Sequence, residues 1–486
     1  MIPSSLVALS YLFVTAPSFD VSRFPQDSCI AQVNPYLAPG GRNVYFTDKT
    51  CLDTLPIELL QVPGTHTRRV KTPKEELTRL LWVEREAVIT NEPSGFVRKP
   101  LDTFFERLET MKTYSFGDAH DSQQYVLQGQ SVVPHAEMLA HGHTYGLIAI
   151  HPSLEAVFDS LLPIHWRGSL LPEFHTAQVP VPSAAIERVR LIRDSVKFDP
   201  VVASLVNNIS VPQMKNDIRF LTGEDEKSGI LSRHSFSSGI RVAAAWIKER
   251  IEETGATCDL VPFLPGFGPN VICKYPSTVN TTETVLLSAH YDSRGSFGST
   301  RAPGGDDDGS GTISILSIAY AIARREISFR KNVELCLFAG EEQGLLGSRA
   351  YAKELRSVGA DLTLMVQADM LAYHAAGEPA QLGLPDLIGT PEVTQLVANL
   401  SAIYSPELSV GFTPACCSDH QSFHEQGFPS TQVFERAGPI ADPMYHNSGD
   451  LSDREGYDFE QVKSIAKVQF ATLLHATGFD LPSEDD

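Results

Sequence analysis

Three short apolar segments in the second half of the chain each end in residues that can bind a metal ion or move a proton. The segments and the residues that end them are 285–289 with His290, 333–339 with Glu341 and Glu342, and 362–368 with Asp369. Runs of this length, bounded by polar or glycine-containing turns, are typical of buried strands. Open α/β sheets place their sites at the carboxyl ends of strands. Because all these residues follow strands in the same way, we predict that they share one site.

The segments between these strands predict helices that connect them. Residues 312–325 and 347–358 are the candidate crossover helices, and 238–254 carries Ile240 and Ile247 at helical spacing. From about residue 206 onward, helices therefore alternate with strands. This alternation predicts a layered α/β domain with a mixed or parallel sheet.

An acidic loop, 304–311, lies between the first two strands and holds Asp306, Asp307 and Asp308. An EF-hand starting at Asp306 would need a glutamate at loop position twelve, where Ser317 stands. A phosphate-binding P-loop is excluded too, because no Gly-Lys-Ser or Gly-Lys-Thr follows. A solvated acidic turn and a set of metal ligands remain as interpretations of this loop.

Glu341 and Glu342 are neighbours at the end of a strand, where successive side chains point to opposite sides. One of them can bind a metal ion while the other faces the substrate and relays a proton. His446 lies in a polar loop, 443–450, after a further strand candidate at 430–434. Alone it would be an ordinary loop histidine.

Two histidines and three carboxylates together form a set of nitrogen and oxygen ligands that suits zinc, and one carboxylate could bridge two ions. The candidate ligands are His290, Asp307, Glu342, Asp369 and His446. Asp292, two residues beyond His290, is placed to orient that imidazole without binding the metal itself.

With these residues the chain resembles the co-catalytic dizinc aminopeptidases, secreted enzymes of bacteria and fungi related to glutamate carboxypeptidases and glutaminyl cyclases. Five ordered signatures between 206 and 480 carry the resemblance. They are Ala-His290-Tyr-Asp-Ser, Pro-Gly-Gly-Asp-Asp307-Asp-Gly-Ser-Gly, Gly-Glu341-Glu342-Gln-Gly-Leu-Leu-Gly-Ser, Gln-Ala-Asp369-Met and Met-Tyr-His446. The implied fold is a three-layer α/β/α zinc-peptidase domain with a mixed, mostly parallel sheet.

The resemblance also implies a ligand set and a reaction. Asp307 would bridge two zinc ions per chain, one held by His290 and Asp369. Glu342 and His446 would hold the other. Glu341 would be the general base for a metal-bridging hydroxide that cleaves the N-terminal residue from peptides with a free N-terminus.

One departure and several alternatives accompany this resemblance. Bacterial relatives carry a Cys-x-x-x-Cys bridge around a tyrosine, where this chain has Thr413, Ala415 and the adjacent Cys416 and Cys417. The alternatives on the same fold are a glutaminyl cyclase with a single zinc, a dizinc carboxypeptidase or dipeptidase, and a non-catalytic receptor ectodomain. Retention of all five ligands and of Glu341 speaks against the last.

Outside the catalytic domain, assigned to 206–486, the sequence predicts two N-terminal regions. Residues 1–18 are interpreted as a signal peptide, because the apolar stretch 6–16 has a suitable length, although no basic segment precedes it. Residues 19–205 are assigned to an accessory or pro-region. We expect a secreted, extracellular or vacuolar glycoprotein with sequons at Asn208, Asn280 and Asn399.

Charge and cysteine content limit the remaining classes. The chain carries 39 Lys and Arg against 59 Asp and Glu, a net charge of −20, so nucleic acid is not an expected partner. No run of eighteen apolar residues predicts a membrane span. Cys29 with Cys51 and Cys258 with Cys273 are candidate disulfides, and Cys336 is a candidate buried thiol.

Overall fold

The structure is a computed structural model, in which the chain divides into two units. It describes residues 11–15, 28–30, 36–38, 42–70, 77–89, 98–110, 136–142, 144–155, 157–171, 179–296, 298–415 and 417–482. The first unit is Met1–Glu86 with Thr90–Ala177, and the second is Ala87–Ile89 with Gln178–Asp486. The second unit thus begins ahead of residue 206, the boundary expected from the sequence.

The first unit contains two four-stranded antiparallel sheets, in the orders β2-β3-β1-β4 and β6-β7-β5-β8. The strands are β1 (Tyr11–Val14), β2 (Tyr36–Ala38), β3 (Arg42–Thr47), β4 (His66–Arg69), β5 (Arg79–Arg85), β6 (Ala136–His141), β7 (Tyr145–Ile150) and β8 (Trp166–Leu170). The helices are α1 (Lys49–Thr54), α2 (Ile57–Leu60) and α3 (Arg98–Thr110).

Strand β1 lies within the stretch interpreted as a signal peptide. It pairs with β3 on one side and β4 on the other, and Leu12, Phe13 and Val14 are fully buried. Cleavage after residue 18 would remove this strand from its sheet, and the signal peptide at 1–18 stays a prediction. Secretion and glycosylation stay predictions; of the sequons, Asn280 is exposed and Asn399 lies within a helix.

The second unit alternates helices and strands, as the sequence predicts. Its helices are α4 (Ser183–Ser195), α5 (Pro200–Val206), α6 (Val211–Leu221), α7 (Ser238–Glu252), α8 (Gly309–Arg324), α9 (Leu346–Ser357), α10 (Pro391–Tyr404), α11 (His420–Glu425) and α12 (Phe459–Thr477). Its strands are β9 (Thr257–Val261), β10 (Asn270–Tyr275), β11 (Thr284–His290), β12 (Ser328–Phe329), β13 (Asn332–Phe338), β14 (Leu362–Ala368), β15 (Gln381–Pro385), β16 (Ser409–Thr413), β17 (Ser430–Val433) and β18 (Phe479–Asp480). Within the described residues, no helix has both the length and the apolar character needed to cross a bilayer.

The central sheet of this unit has six strands in the order β17-β14-β11-β13-β10-β9. The first four run parallel, and β10 and β9 are antiparallel to their neighbours. The carboxyl ends of the parallel strands are aligned, because Ala289 pairs with Leu337 on one side and with Ala368 on the other. This confirms the predicted mixed, mostly parallel sheet.

Both faces of the sheet are covered, which gives three layers. Val285 and Leu287 of β11 belong to a core that includes residues of α7, α8 and α12, whereas Leu286 belongs to a second core with residues of α9 and α11. Successive strand side chains point to opposite faces, so a strand buried on both faces must be apolar throughout. This explains why β11, β13 and β14 are mostly apolar, with Ser288, Glu334, Thr363 and Gln367 as buried polar exceptions.

The order of the strands creates a crevice at their carboxyl ends. After β11 the chain passes through α8 to β13, and from there through α9 to β14 on the other side of β11. The connections after β11 and after β13 therefore run in opposite directions along the sheet. A reversal of this kind is a topological switch point, and ligands bind at such points in this class of fold.

Two predicted disulfides are confirmed. Cys29 is bonded to Cys51 in the first unit, and Cys258 is bonded to Cys273 across β9 and β10. Cys336 is a buried free thiol, as expected. Cys416 lies outside the described residues.

A buried guanidinium ties together the loops that surround the crevice. Arg233, with no exposed surface, donates to the carbonyl oxygens of Tyr291 (2.8 Å), Leu221 (3.0 Å), Gly304 (2.7 Å) and Pro303. Burial lowers the pKa of Arg233 to about 10, so it remains charged at neutral pH. The cation thereby fixes the start of the acidic loop against the end of β11.

Replacing Arg233 by methionine should destabilise the second unit strongly. Four buried carbonyl groups would lose this donor, and Gly304 alone of the four would keep another, the N–H of Gly309. Each group left unsatisfied costs about 1–3 kcal/mol. The matched control is Arg330→Met, which removes an exposed ion pair with Asp480, worth at most about 1 kcal/mol. Urea unfolding of both variants measures the difference; equal losses would contradict the role of Arg233.

Candidate metal centre

The predicted site residues meet at the carboxyl edge of the central sheet. His290 ends β11, Glu341 and Glu342 follow β13, and Asp369 follows β14. Asp307 lies in the turn before α8, and His446 lies in the loop after β17. The structure therefore brings together residues that are 156 positions apart at most, from His290 to His446.

The carboxylate of Asp307 lies between the two histidines. Its Oδ1 is 3.2 Å from Nε2 of His290, and its Oδ2 is 3.3 Å from Nε2 of His446. All three side chains are at most 8% exposed. One carboxylate thus offers a separate oxygen to each imidazole.

Each histidine also faces a second carboxylate. Nε2 of His446 is 3.0 Å from Oε2 of Glu342, and Nε2 of His290 is 3.8 Å from Oδ1 of Asp369. In the described part of the chain, two clusters bring ligand atoms within 4.8 Å of one another: Asp307, Glu342 and His446 in one, and His290, Asp308 and Asp369 in the other. The second cluster includes Asp308, which is not among the ligands predicted from the sequence.

Hydrogen bonds separate the functions of Asp307 and Asp308. The carboxylate of Asp308 accepts backbone N–H groups from His290 (3.1 Å), Gly311 (2.9 Å) and Met370 (3.1 Å). Asp308 is therefore occupied as the N-cap of α8 and as a link between β11 and the end of β14. The oxygens of Asp307 instead face the imidazoles.

Two atoms of the cluster are well suited to a metal ion. Nε2 of His290 and Oε1 of Glu342 are buried and have no hydrogen-bond partner among the described residues. Buried polar atoms are almost always paired, and an ion that the site is built to hold is one explanation for exceptions. The nitrogen and oxygen donors fit zinc.

The electrostatics of the cluster favour positive charge between these side chains. Burial alone would lower the pKa of His290, but Asp308, Asp292 and Asp307 raise it well above its ordinary value. Burial likewise acts to raise the pKa of Asp307, yet its contacts with His290 and His446 lower it. The carboxylates thus stabilise a cation at the point where a divalent ion would bind.

Glu341 is partly buried beside the cluster and has a different environment from Glu342. Removal from water, together with the carboxylates of Asp369 and Asp419, raises the pKa of Glu341 well above its ordinary value. Glu342 is turned toward His446 instead. The neighbouring glutamates therefore have different surroundings, as the opposed directions of their side chains predict.

Asp292 contacts both His290 and the turn that carries Glu341 and Glu342. Its carboxylate accepts the hydroxyl of Ser235 (2.8 Å) and the backbone N–H groups of Glu341 (3.3 Å) and Glu342 (3.4 Å). Its Oδ1 is 3.5 Å from Nδ1 of His290, and that nitrogen also lies 3.2 Å from the Asp292 carbonyl oxygen. Asp292 thus links the orientation of His290 to the turn that carries both glutamates.

Sequence reasoning missed several polar residues around the centre. Ser235 contacts Asp292, Nη1 of Arg294 lies 2.9 Å from Nδ1 of His446, and burial raises the pKa of Asp419 to about 7. Asp450 contacts the backbone of Asp307 at 3.0 Å. Of these residues, only Asp450 could have been selected from the sequence, since it lies in the same polar loop as His446.

The hydrogen bonds predict different outcomes for two neighbouring substitutions. Asp307→Ala should remove bound metal, because the shared ligand is lost. Asp308→Asn should keep most of the metal but lose about 1–3 kcal/mol of stability, because an amide cannot accept from all three N–H groups. Metal analysis and thermal unfolding of both variants test this, and full metal retention by Asp307→Ala would be incompatible with a ligand role.

Comparison with known sequences places this centre within a peptidase family. A model of peptidase family M28 matches residues 270–472. Leucine aminopeptidase 1 of Sclerotinia sclerotiorum is 30% identical over 281 residues, which cover 51% of this chain and 71% of that protein. Leucine aminopeptidase 1 of Phaeosphaeria nodorum is 29% identical over 316 residues, which cover 60% of this chain and 77% of that protein.

Solved structures agree on the fold. The LapA aminopeptidase of Legionella pneumophila superposes with a TM-score of 0.56 at 18% identity, covering 73% of this chain and 96% of its own. LapB of the same organism gives a TM-score of 0.58 at 18% identity, covering 82% of this chain and 99% of its own. The α/β architecture described above is therefore shared with known proteins.

Proposed function

The chain belongs to peptidase family M28, and we propose that this peptidase is a dizinc aminopeptidase that removes N-terminal residues from peptides. The observation that supports two ions is the position of Asp307, whose two oxygens face His290 and His446 separately. A single-ion site would need only one of these contacts.

Five side chains would hold the metal. His290 and Asp369 would bind one zinc ion, Glu342 and His446 the other, and Asp307 both. The fit rests on the donor types and on the buried Nε2 of His290 and Oε1 of Glu342, neither of which has a well-formed hydrogen bond among the described residues. Bound zinc would supply Lewis acidity, which lowers the pKa of a water molecule and polarises the scissile carbonyl.

Glu341 would move the proton in this reaction. Its pKa is raised by burial and by neighbouring carboxylates, which suits a group that must accept a proton and then release it near neutral pH. Because its backbone N–H is held by Asp292, the turn that carries Glu341 is fixed relative to His290. Glu341 would take a proton from water and deliver it to the leaving amine.

The charge of the site supports recognition of a free N-terminus. Carboxylates dominate the edge of the sheet around Glu341, and Asp369 is the metal-site carboxylate with the most exposed side chain, at 15%. A terminal amine is a cation or a metal-binding neutral group, so it is favoured beside these carboxylates. An acylated terminus gains neither interaction.

Matched chromogenic substrates test this proposal. We expect the purified chain to hydrolyse aminoacyl amides that have a free amine and to be about 100-fold or more slower on their N-acetylated counterparts. A chelator should abolish the activity, and added zinc should restore it. Equal turnover of free and acetylated substrates would rule out an aminopeptidase.

Glu341→Gln isolates the proton-transfer role. The amide preserves the shape of the side chain but cannot accept the proton, so kcat should fall by a factor of about 100 to 10,000. Zinc content should stay at the wild-type value, because Glu341 is not a proposed ligand. Near-normal turnover with full zinc would remove Glu341 from this role.

A further inference from the structure

A buried carboxylate four residues beyond His446 binds the backbone that carries Asp307. Asp450 is 1% exposed, and its carboxylate accepts the N–H of Asp306 (2.9 and 3.1 Å) and the N–H of Asp307 (3.0 Å). In addition, the carbonyl oxygen of Asp450 accepts the N–H of Gly305 at 2.7 Å. Three consecutive N–H groups of the acidic loop are therefore held by one residue.

The two loops also pack backbone against backbone. A Cβ atom placed on Gly305 would lie 2.7 Å from the carbonyl carbon of Leu451 and 2.9 Å from the carbonyl oxygen of Asp450. Gly304 adopts a φ of +53°, which favours glycine. A side chain at Gly305 would therefore force the two loops apart.

Arg454 holds Asp450 from the opposite side. Its Nη2 donates to Oδ1 of Asp450 at 3.0 Å, and its Nη1 donates to Oδ1 of Asp442 at 2.8 Å. Its Nε donates to the carbonyl oxygen of Leu451 at 3.1 Å. Among the described residues, the hydrogen bonds of the Asp450 carboxylate all come from donors, namely two backbone N–H groups and a guanidinium.

We propose that Asp450 is a positioning residue that places the Asp307 carboxylate between His290 and His446. His446 and Asp450 belong to one loop, so the loop that supplies one ligand also fixes the backbone of the shared ligand. The inference deepens the proposed function and rests on its assignment of Asp307 as a metal ligand. Arg454 acts through Asp450 by fixing the orientation of the carboxylate.

Asp450→Asn is the direct test. The variant has nearly the same volume, but its amide NH₂ must face either a backbone N–H or Arg454, both of which are donors. The Asp307 backbone should shift, and zinc affinity should fall by about 10–100-fold, the usual effect of losing a group that orients a ligand.

A matched control is Glu224, which follows α6 and contacts the same loop. Glu224 accepts the N–H groups of Ser452 (2.9 Å) and Asp453 (3.0 Å), two and three residues beyond Asp450, and among the described residues it accepts no hydrogen bond from the acidic loop. Glu224→Gln therefore places an amide NH₂ against backbone N–H groups of the same loop, at a partly buried carboxylate. It should lower thermal stability while leaving zinc affinity within about twofold of the wild-type value.

The experiment measures metal binding without any substrate. Zinc dissociation constants come from competition with a chromogenic chelator, and the visible absorption bands of the Co²⁺-substituted protein report the ligand geometry. We expect weaker zinc binding and altered Co²⁺ bands for Asp450→Asn but not for Glu224→Gln. If Asp450→Asn does not fold, Arg454→Lys should give a smaller loss of the same kind, because lysine cannot hold Asp450 and Asp442 together.

Two outcomes would overturn the proposal. One is an Asp450→Asn variant with wild-type zinc affinity and wild-type Co²⁺ bands, and the other is an equal loss of affinity in Glu224→Gln. A wild-type chain that binds no zinc would instead contradict the proposed function. The two failures are therefore distinguishable.

Discussion

The structure of the site depends on the burial of several carboxylates at one edge of a sheet. A buried charge is costly unless it is paired and hydrogen-bonded, and like charges that share a site repel each other. The chain meets this constraint by giving Asp308 and Asp450 backbone N–H groups and Asp292 a hydroxyl as well. The metal-site carboxylates, which face the crevice, lack such donors.

This division distinguishes carboxylates that build the site from those that would bind metal. Asp308 is satisfied by three backbone N–H groups, whereas the contacts of Asp307 are the imidazoles of His290 and His446. Composition and spacing cannot separate Asp307 from Asp308, because both follow the same two glycines. Only the direction of each side chain, set by the loop backbone, decides which one faces the crevice.

The sequence was most informative where burial dictates composition. Strands β11, β13 and β14 are apolar on both faces, so their limits were predicted to within one residue at each end, and the predicted ligands met at their ends. The first unit was not predicted in detail, because its strands are short and separated by proline-rich segments. Strand β1 lies within the predicted leader, which stays a prediction, because an interior strand and a short apolar leader have similar compositions.

Interactions between loops were the least predictable part of the site. Arg233 binds the carbonyl oxygen of Gly304, 71 residues away in the chain. Arg454 binds Asp450 within its own loop, and Asp450 in turn binds the N–H of Asp307, 143 residues away. None of these contacts carries a signature in the sequence. Their effect is to fix the acidic loop from both ends. The position of Asp307 is thus a property of the tertiary structure and not of its local sequence.

The central claim is that Asp307 lies between two metal ions. An anomalous difference map measured at the zinc absorption edge, from crystals of the zinc-loaded protein, tests it most directly. We predict two peaks, one beside His290 and Asp369 and one beside Glu342 and His446, with the Asp307 carboxylate between them. A single peak, or peaks remote from Asp307, would contradict the account.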